Sequence, residues 1–186
     1  MRLRLALFLT SISHADHSKA VRDLLRMGVD CYMGKGTADA IGVSGQGVQV
    51  VRAQEQFGIG AWKVLPFDAV HDCAEPLGFL LSSGTEKLLY LTDSGYCKYR
   101  FDGVTHIAVE CNHSVELLRQ SGLSEVVQNR IMRNHMSLET LLDMLRANDL
   151  RQLREVHLLH MSDGNSNEKA FKEAVQAATG VEVYIC

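Results

Sequence analysis

The stretch His14-Ala15-Asp16-His17 puts three ligand-type side chains within four residues, directly after an apolar run and before a helical one. Two neutral imidazoles and a carboxylate converging at a strand end are the donors that a borderline-soft divalent cation such as zinc prefers. The plainer reading is that Asp16 caps the next helix and the histidines are solvated. Four further stretches carry similar residues: Val70-His71-Asp72, Leu91-Thr92-Asp93-Ser94-Gly95, Asn134-His135-Met136-Ser137 and His157-Leu158-Leu159-His160. Asp93 alone would be ordinary turn chemistry before a glycine. His157 and His160 stand an odd number of residues apart in a predicted strand, so they face opposite ways. His160, at the strand's C-terminal end, is the better candidate.

These side chains need elements to carry them. The apolar run over 3–12 predicts a buried strand, and 18–28 a helix ending at Gly28. A short strand over 29–33 and a helical turn over 36–41 follow. Strands are predicted over 48–52, 62–67, 77–81, 87–92 and 105–110, separated by glycine- and serine-containing turns. The last third is helical over 114–121, 124–133 and 137–147, where Ser137 and Glu139 make a helix start. A strand over 155–159, a helix over 168–178 and a strand over 181–185 complete the chain. Strands first and strand–helix alternation afterwards imply a layered α/β (α+β) fold with helices outside.

Composition narrows the function classes. The chain has 186 residues, 46% hydrophobic and 22% charged, which is ordinary for one globular domain over 1–186 and excludes disordered and collagenous classes. A core of that size needs no structural metal. No apolar run reaches the ~20 residues of a membrane span, so no membrane partner is expected. A net charge of −3 argues against a protein tracking bulk duplex nucleic acid. It leaves room for a small phosphorylated substrate in a local pocket. Cys31, Cys73, Cys97, Cys111 and Cys186 are an odd set with no CxxC pair, as expected of reduced thiols in a cytoplasmic protein. The first ten residues imitate a signal peptide, but polar residues follow without a convincing cleavage site, so they are read as strand.

In this order, the stretches resemble the metallo-β-lactamase superfamily. His14-Ala15-Asp16-His17 is similar to the latter part of its H-x-H-x-D-H signature. The later stretches resemble the phosphodiesterase, ribonuclease Z-like branch. There, His71 before the Pro76-Leu77-Gly78-Phe79 strand matches an isolated His, and Asp93 a metal-bridging Asp. His135 in His-Met-Ser-Leu-Glu matches a proton-donating His, and His160 the last metal ligand. Glu110-Cys111-Asn112-His113 looks like small bacterial metallohydrolases of the same fold. The resemblance runs from about residue 8 to the C-terminus.

The resemblance implies a four-layer αββα sandwich lacking part of the N-terminal β-hairpins. It also implies two Zn2+ ions, with Mn2+ as the alternative. One would be held by His14, His71 and Asp93, the other by Asp16, His17, Asp93 and His160, with Asp16 and His135 as catalytic groups. Ile12 stands where the signature has its first His, so one site is expected to be impaired. Family members carry β-hairpins before the signature, and here the first strand begins almost at Met1. An edge left open in that way leads to the expectation of a homo-oligomer.

Two divalent ions can clamp the oxygens of an in-line phosphoryl displacement and activate a water at cytoplasmic pH. The expected activity is therefore hydrolysis of a small phosphodiester such as a cyclic nucleotide. The competing expectations are a degenerate binding module, a nuclease on single-stranded or terminal nucleic acid, and a thioester or lactone hydrolase. Asp72 or Asp163 could orient a ligand imidazole. His106 reads as a strand residue, and His113 is evenly balanced between site and core. Trp62, Phe67, Tyr90 and the cysteines are expected in the core, with Cys111 at a strand end.

Overall fold

The computed structural model of the chain describes residues 7–186, the side chains of Leu7, Ala15 and Asp16 excepted. The elements run β1 (Leu7–Leu9), α1 (Ala15–Ser18), α2 (Val21–Arg26), β2 (Asp30–Met33), α3 (Lys35–Ile41), β3 (Val48–Val50), β4 (Phe57–Ile59), β5 (Trp62–Asp68) and β6 (Leu77–Ser83). They continue with β7 (Glu86–Leu91), β8 (His106–Glu110), α4 (Val115–Gln120), α5 (Glu125–Asn134), α6 (Leu138–Ala147), β9 (Glu155–Leu159), α7 (Glu168–Thr179) and β10 (Glu182–Ile185). Of the strand expected over 3–12, residues 3–6 lie outside the described residues and β1 ends at Leu9.

Two sheets form. β1, β2 and β3 make a parallel sheet in that order. The larger sheet runs β10-β9-β8-β7-β6-β5-β4, parallel from β10 to β7 and antiparallel from β7 to β4.

Alternation along the strands builds the layers. Ile107 and Val109 of β8 and Val156 and Leu158 of β9 share a core with Leu141 and Leu145 of α6 and Phe171 and Val175 of α7. Between the sheets, Val64, Leu77 and Phe79 of the larger one meet Leu9 and Tyr32 of the smaller. Beyond the smaller sheet, Val21, Leu24 and Leu25 of α2 and Ala38 and Ile41 of α3 cover Cys31 and Met33. The order helix, sheet, sheet, helix is the four-layer αββα sandwich that the resemblance implies.

Local chemistry explains the helix ends in the last third. Ser114, Ser124, Ser137 and Asn167 each accept a hydrogen bond from a first-turn amide of α4, α5, α6 and α7. Gly180 ends α7 at φ 74°, a left-handed cap that glycine takes without steric cost. No helix among the described residues is long and apolar enough to cross a membrane.

Four expectations need correction, one of them that all the cysteines lie in the core, since Cys186 is exposed and Cys73 half-buried. The helix over 18–28 is split: Ser18 ends α1, and α2 begins only at Val21 after a two-residue turn. The strand Phe57–Ile59 was not expected, because three residues are too short to show alternation. Trp62 is 40% exposed rather than core. It lines a groove with Leu88, Ala108, His106 and His157 on the face of the larger sheet opposite α6 and α7, where the three-stranded sheet does not reach. Phe67 is buried, and Tyr90 packs partly buried between the sheets.

Candidate metal centre

The parallel half of the larger sheet assembles the site. β7, β8 and β9 are neighbours in register, and all three end at one edge, with Leu91 beside Val109 and Glu110 beside Leu159. Asp93, Glu110 and His160 therefore leave adjacent strands at their C-terminal ends, the usual place for a site on a parallel sheet. Asp93 and His160 both turn off their strands with left-handed backbones, at φ 48° and 52°. Non-glycine residues rarely adopt this conformation, and it persists where surrounding contacts over-determine it.

Asp93 is buried, and its carboxylate is the hub. Nε2 of His17 lies 2.6 Å from Oδ2, while Nδ1 of His160 and of His135 lie 3.3 and 3.6 Å from Oδ1. Burial pushes this carboxyl up. The His17 hydrogen bond and the neighbouring imidazoles outweigh it and hold the pKa at about 2. On the other flank, Nε2 of His71 faces Nδ1 of His14 at 3.4 Å, and Asp72 lies 3.6 Å from the same His71 nitrogen. Nδ1 of His71 is fixed at 2.9 Å to the carbonyl of Asn134, the last residue of α5.

Five imidazoles thus form a chain of ring contacts, His14–His71–His135–His160–His17, with centroids 4.9–5.8 Å apart. A cleft of roughly 350 Å³ opens on His14, His71, Asp93, His135 and His160.

The donor set fits divalent cations. Asp93, Glu110, His135 and His160 can each offer one ligand atom within 4.8 Å of the others, and so can His14, His71 and Asp72. Nitrogen and carboxylate oxygen donors in such groups suit zinc or manganese. The structure brings together His14, His17, His71, Asp93, His135 and His160 as the sequence expects. Asp16 lies in α1 beside His17, but its side chain is outside the described residues. Ile12 is completely buried, and its apolar side chain offers no donor.

Sequence reasoning missed the part played by Glu110. It is fully buried, and four donors satisfy its carboxylate: Nδ1 of His135 at 2.7 Å, Nδ1 of His160 at 2.8 Å, and the amides of Ser94 at 3.0 Å and Met136 at 3.1 Å. Burial pushes this carboxyl up, and the two imidazole hydrogen bonds more than reverse the shift. The available signal was a carboxylate ending the apolar strand Ile107-Ala108-Val109, where a charge is costly without partners. Asn112 extends this role by donating to the His160 carbonyl at 2.9 Å and receiving Ser162 N–H on its own carbonyl.

The remaining candidates separate from the site. His106 bonds Thr105 at 2.8 Å and lies near Glu86 and Glu155. His157 bonds Glu155 at 3.0 Å and stacks on Tyr184, facing away from His160. His113 is 1% exposed, and neither ring nitrogen has a partner among the described residues. Burial pushes its pKa down. Cys111 is buried in the core under α6, where desolvation pushes its thiol up. Of the two possible orienting carboxylates, Asp72 is at His71, and Asp163 is exposed.

No family model matches the chain. It is 30% identical over 118 residues to exodeoxyribonuclease YycJ of Bacillus anthracis, covering 60% of this chain and 45% of that protein. It is 27% identical over 167 residues to exodeoxyribonuclease WalJ of Streptococcus pneumoniae, covering 82% of this chain and 62% of that one. The chain therefore spans about half to three-fifths of these curated relatives. Among solved structures, the metallo-β-lactamase fold protein YhfI of Bacillus subtilis superposes with TM-score 0.73 at 13% identity, over 97% of this chain and 74% of its own. Zn2+-bound PqqB of Methylobacterium extorquens superposes with TM-score 0.68 at 15% identity, over 97% and 70%. The chain has the metallo-β-lactamase fold.

Proposed function

We propose that the chain is a metal-dependent phosphodiesterase that trims the end of a single DNA strand. The observation that carries this reading is that two groups of nitrogen and carboxylate donors, one including Asp93 and the other His14, His71 and Asp72, open on one cleft. The two curated relatives are exodeoxyribonucleases, which supports a nucleic-acid end as substrate.

His14 and His71 would hold one cation together with Asp93. His17 and His160, with Asp16 as the resemblance implies, would hold the second on the other side of Asp93. Zinc or manganese bound there supplies Lewis-acid polarisation of the phosphoryl group and activation of the attacking water. Asp93 stays ionised throughout because its neighbouring imidazoles hold its pKa down. His135 gives Nδ1–H to Glu110 at 2.7 Å, which fixes the ring and leaves Nε2 as the nitrogen that exchanges a proton. As the P–O bond to the leaving oxygen breaks, that oxygen takes the proton from Nε2 of His135. Glu110 keeps the imidazole aligned.

A second reading is a small cyclic nucleotide as substrate. The net charge of −3 and a cleft of roughly 350 Å³ favour it. The test is purification without chelators, then incubation with Zn2+ or Mn2+ and three substrates: end-labelled single-stranded DNA, a cyclic mononucleotide and an acyl thioester. Stepwise shortening of the DNA is the expected result. Turnover of the cyclic nucleotide alone would establish the second reading. Turnover of the thioester alone, or metal content below one ion per chain with no turnover, would overturn both.

A further inference from the structure

Helix α5 turns one face to the cleft, at the spacing i, i+3, i+4, i+7: Val127, Arg130, Ile131 and Asn134. Its last turn is locked to the site through the Asn134 carbonyl and Nδ1 of His71. One turn earlier, Nε of Arg130 donates to Oδ2 of Asp72 at 3.0 Å. The Arg130 side chain is 67% exposed, and among the described residues only its Nε has a protein partner. Its two Nη groups make no hydrogen bond to the protein among the described residues, which leaves donors of the kind that match phosphate oxygens. Next to it, Val127 is 41% exposed and Val126 78%, with Leu123 at 39%. Exposed aliphatic groups beside an anchored cation, on the rim of a polar cleft, match a ligand that has an anionic and an apolar part.

We propose that α5 is the substrate-reading element. Arg130 binds the phosphate adjoining the one that is cleaved, and Val127 with Ile131 receives the neighbouring base. Asp72 is a positioning residue, because it holds the guanidinium through Nε and leaves the Nη groups for the ligand. A single DNA strand supplies both halves of such a ligand, and a base-paired end would not free its bases for the aliphatic ledge. This inference rests on the phosphodiesterase reading for its catalytic consequence but not for its binding.

The test uses the full chain and the variants Arg130→Gln, Arg130→Lys and Val127→Ser, all at exposed positions. The first readout is fluorescence anisotropy of a dye-labelled single-stranded oligodeoxynucleotide with metal-free protein. Arg130→Gln is expected to weaken binding about tenfold and to reduce the salt slope by about one. Arg130→Lys should recover the salt slope but not the full affinity. Val127→Ser should weaken binding several-fold to a normal strand and lose that effect on an abasic one.

The second readout is the ratio of kcat/KM on the oligonucleotide to that on methyl p-nitrophenyl phosphate, which has one phosphate and no base. It should fall about tenfold in Arg130→Gln, through KM. Binding that does not weaken in Arg130→Gln would overturn the inference, as would an equal loss on both substrates or a loss of bound metal. If the wild-type protein binds DNA through Arg130 but hydrolyses no phosphodiester, the binding site stands and the phosphodiesterase reading falls.

Discussion

Glu110 and His135 meet through a 2.7 Å hydrogen bond between a fully buried carboxylate and an imidazole at the end of α5. The same oxygen also takes Nδ1 of His160 at 2.8 Å, so one carboxylate orients two site imidazoles from below. Outer groups of this kind fix both tautomer and ring angle.

Glu110→Gln tests that arrangement. The amide presents two N–H donors where four donors already converge, so at least one contact becomes donor against donor. The expected result is a 10–100-fold loss of activity or metal affinity, with destabilisation of about 1–3 kcal/mol. Thermal unfolding, metal content and turnover measured on one preparation check it.

Metal stoichiometry should divide along the two flanks of Asp93. His14→Ala and His160→Ala should each lower bound metal from about two ions to about one, and Asp93→Asn should lower both. Chelation should lower the unfolding temperature of the wild-type protein, and re-addition should restore it, since a ligand of the folded state alone stabilises it. Plasma mass spectrometry and calorimetry give the result. Unchanged stoichiometry in His14→Ala would remove that flank from the site.

Gly95 follows the hub Asp93 by two residues and touches the end of α5. A Cβ there would lie 2.7 Å from the Arg133 carbonyl carbon and closer still to its oxygen, both backbone atoms that cannot rotate away. Gly95→Ala should cost about 1–3 kcal/mol. It should also push α5 off the Asp93 loop, so activity should fall further than stability accounts for. Denaturant unfolding at a temperature where both proteins remain folded separates the two effects.

His113 makes stability depend on pH. Burial lowers its folded-state pKa below the ordinary 6.5, so the unfolded chain takes up this proton first as pH falls. Its contribution is therefore present above about pH 6.5 and is lost as pH drops toward the folded-state value. His113→Phe removes that pH dependence and a buried imidazole with no partner among the described residues. The drop in unfolding temperature between about pH 7.5 and about pH 5.5 should be smaller in the variant than in the wild type.

Much of this was legible in the residues, for a physical reason. Strands β5 to β9 and helices α5 to α7 show alternation or i, i+3, i+4 spacing over enough residues for the pattern to declare itself. The ligand-type residues stand at strand ends, where short runs such as Leu91-Thr92-Asp93 reveal them. What stayed hidden depends on partners distant in the chain. Glu110 looks like any strand-end acid until His135, His160 and two amides are seen to surround it. Arg130 looks like a solvated helix cation until Asp72 is seen to orient it. Trp62 reads as a core residue in the sequence, yet nothing in the sequence reveals which part of the larger sheet stays uncovered.

The imidazole chain draws its members from positions 14, 17, 71, 135 and 160, with Asp93 and Glu110 between them. No local segment holds more than a fragment of the set. Each closure of so long a loop carries an entropy cost that is recovered only when the distant pieces dock. The centre is thus expected to form late in folding, after both sheets and α5 have assembled. A cation captured there would act as a latch on the whole molecule, with slower global opening as the expected sign.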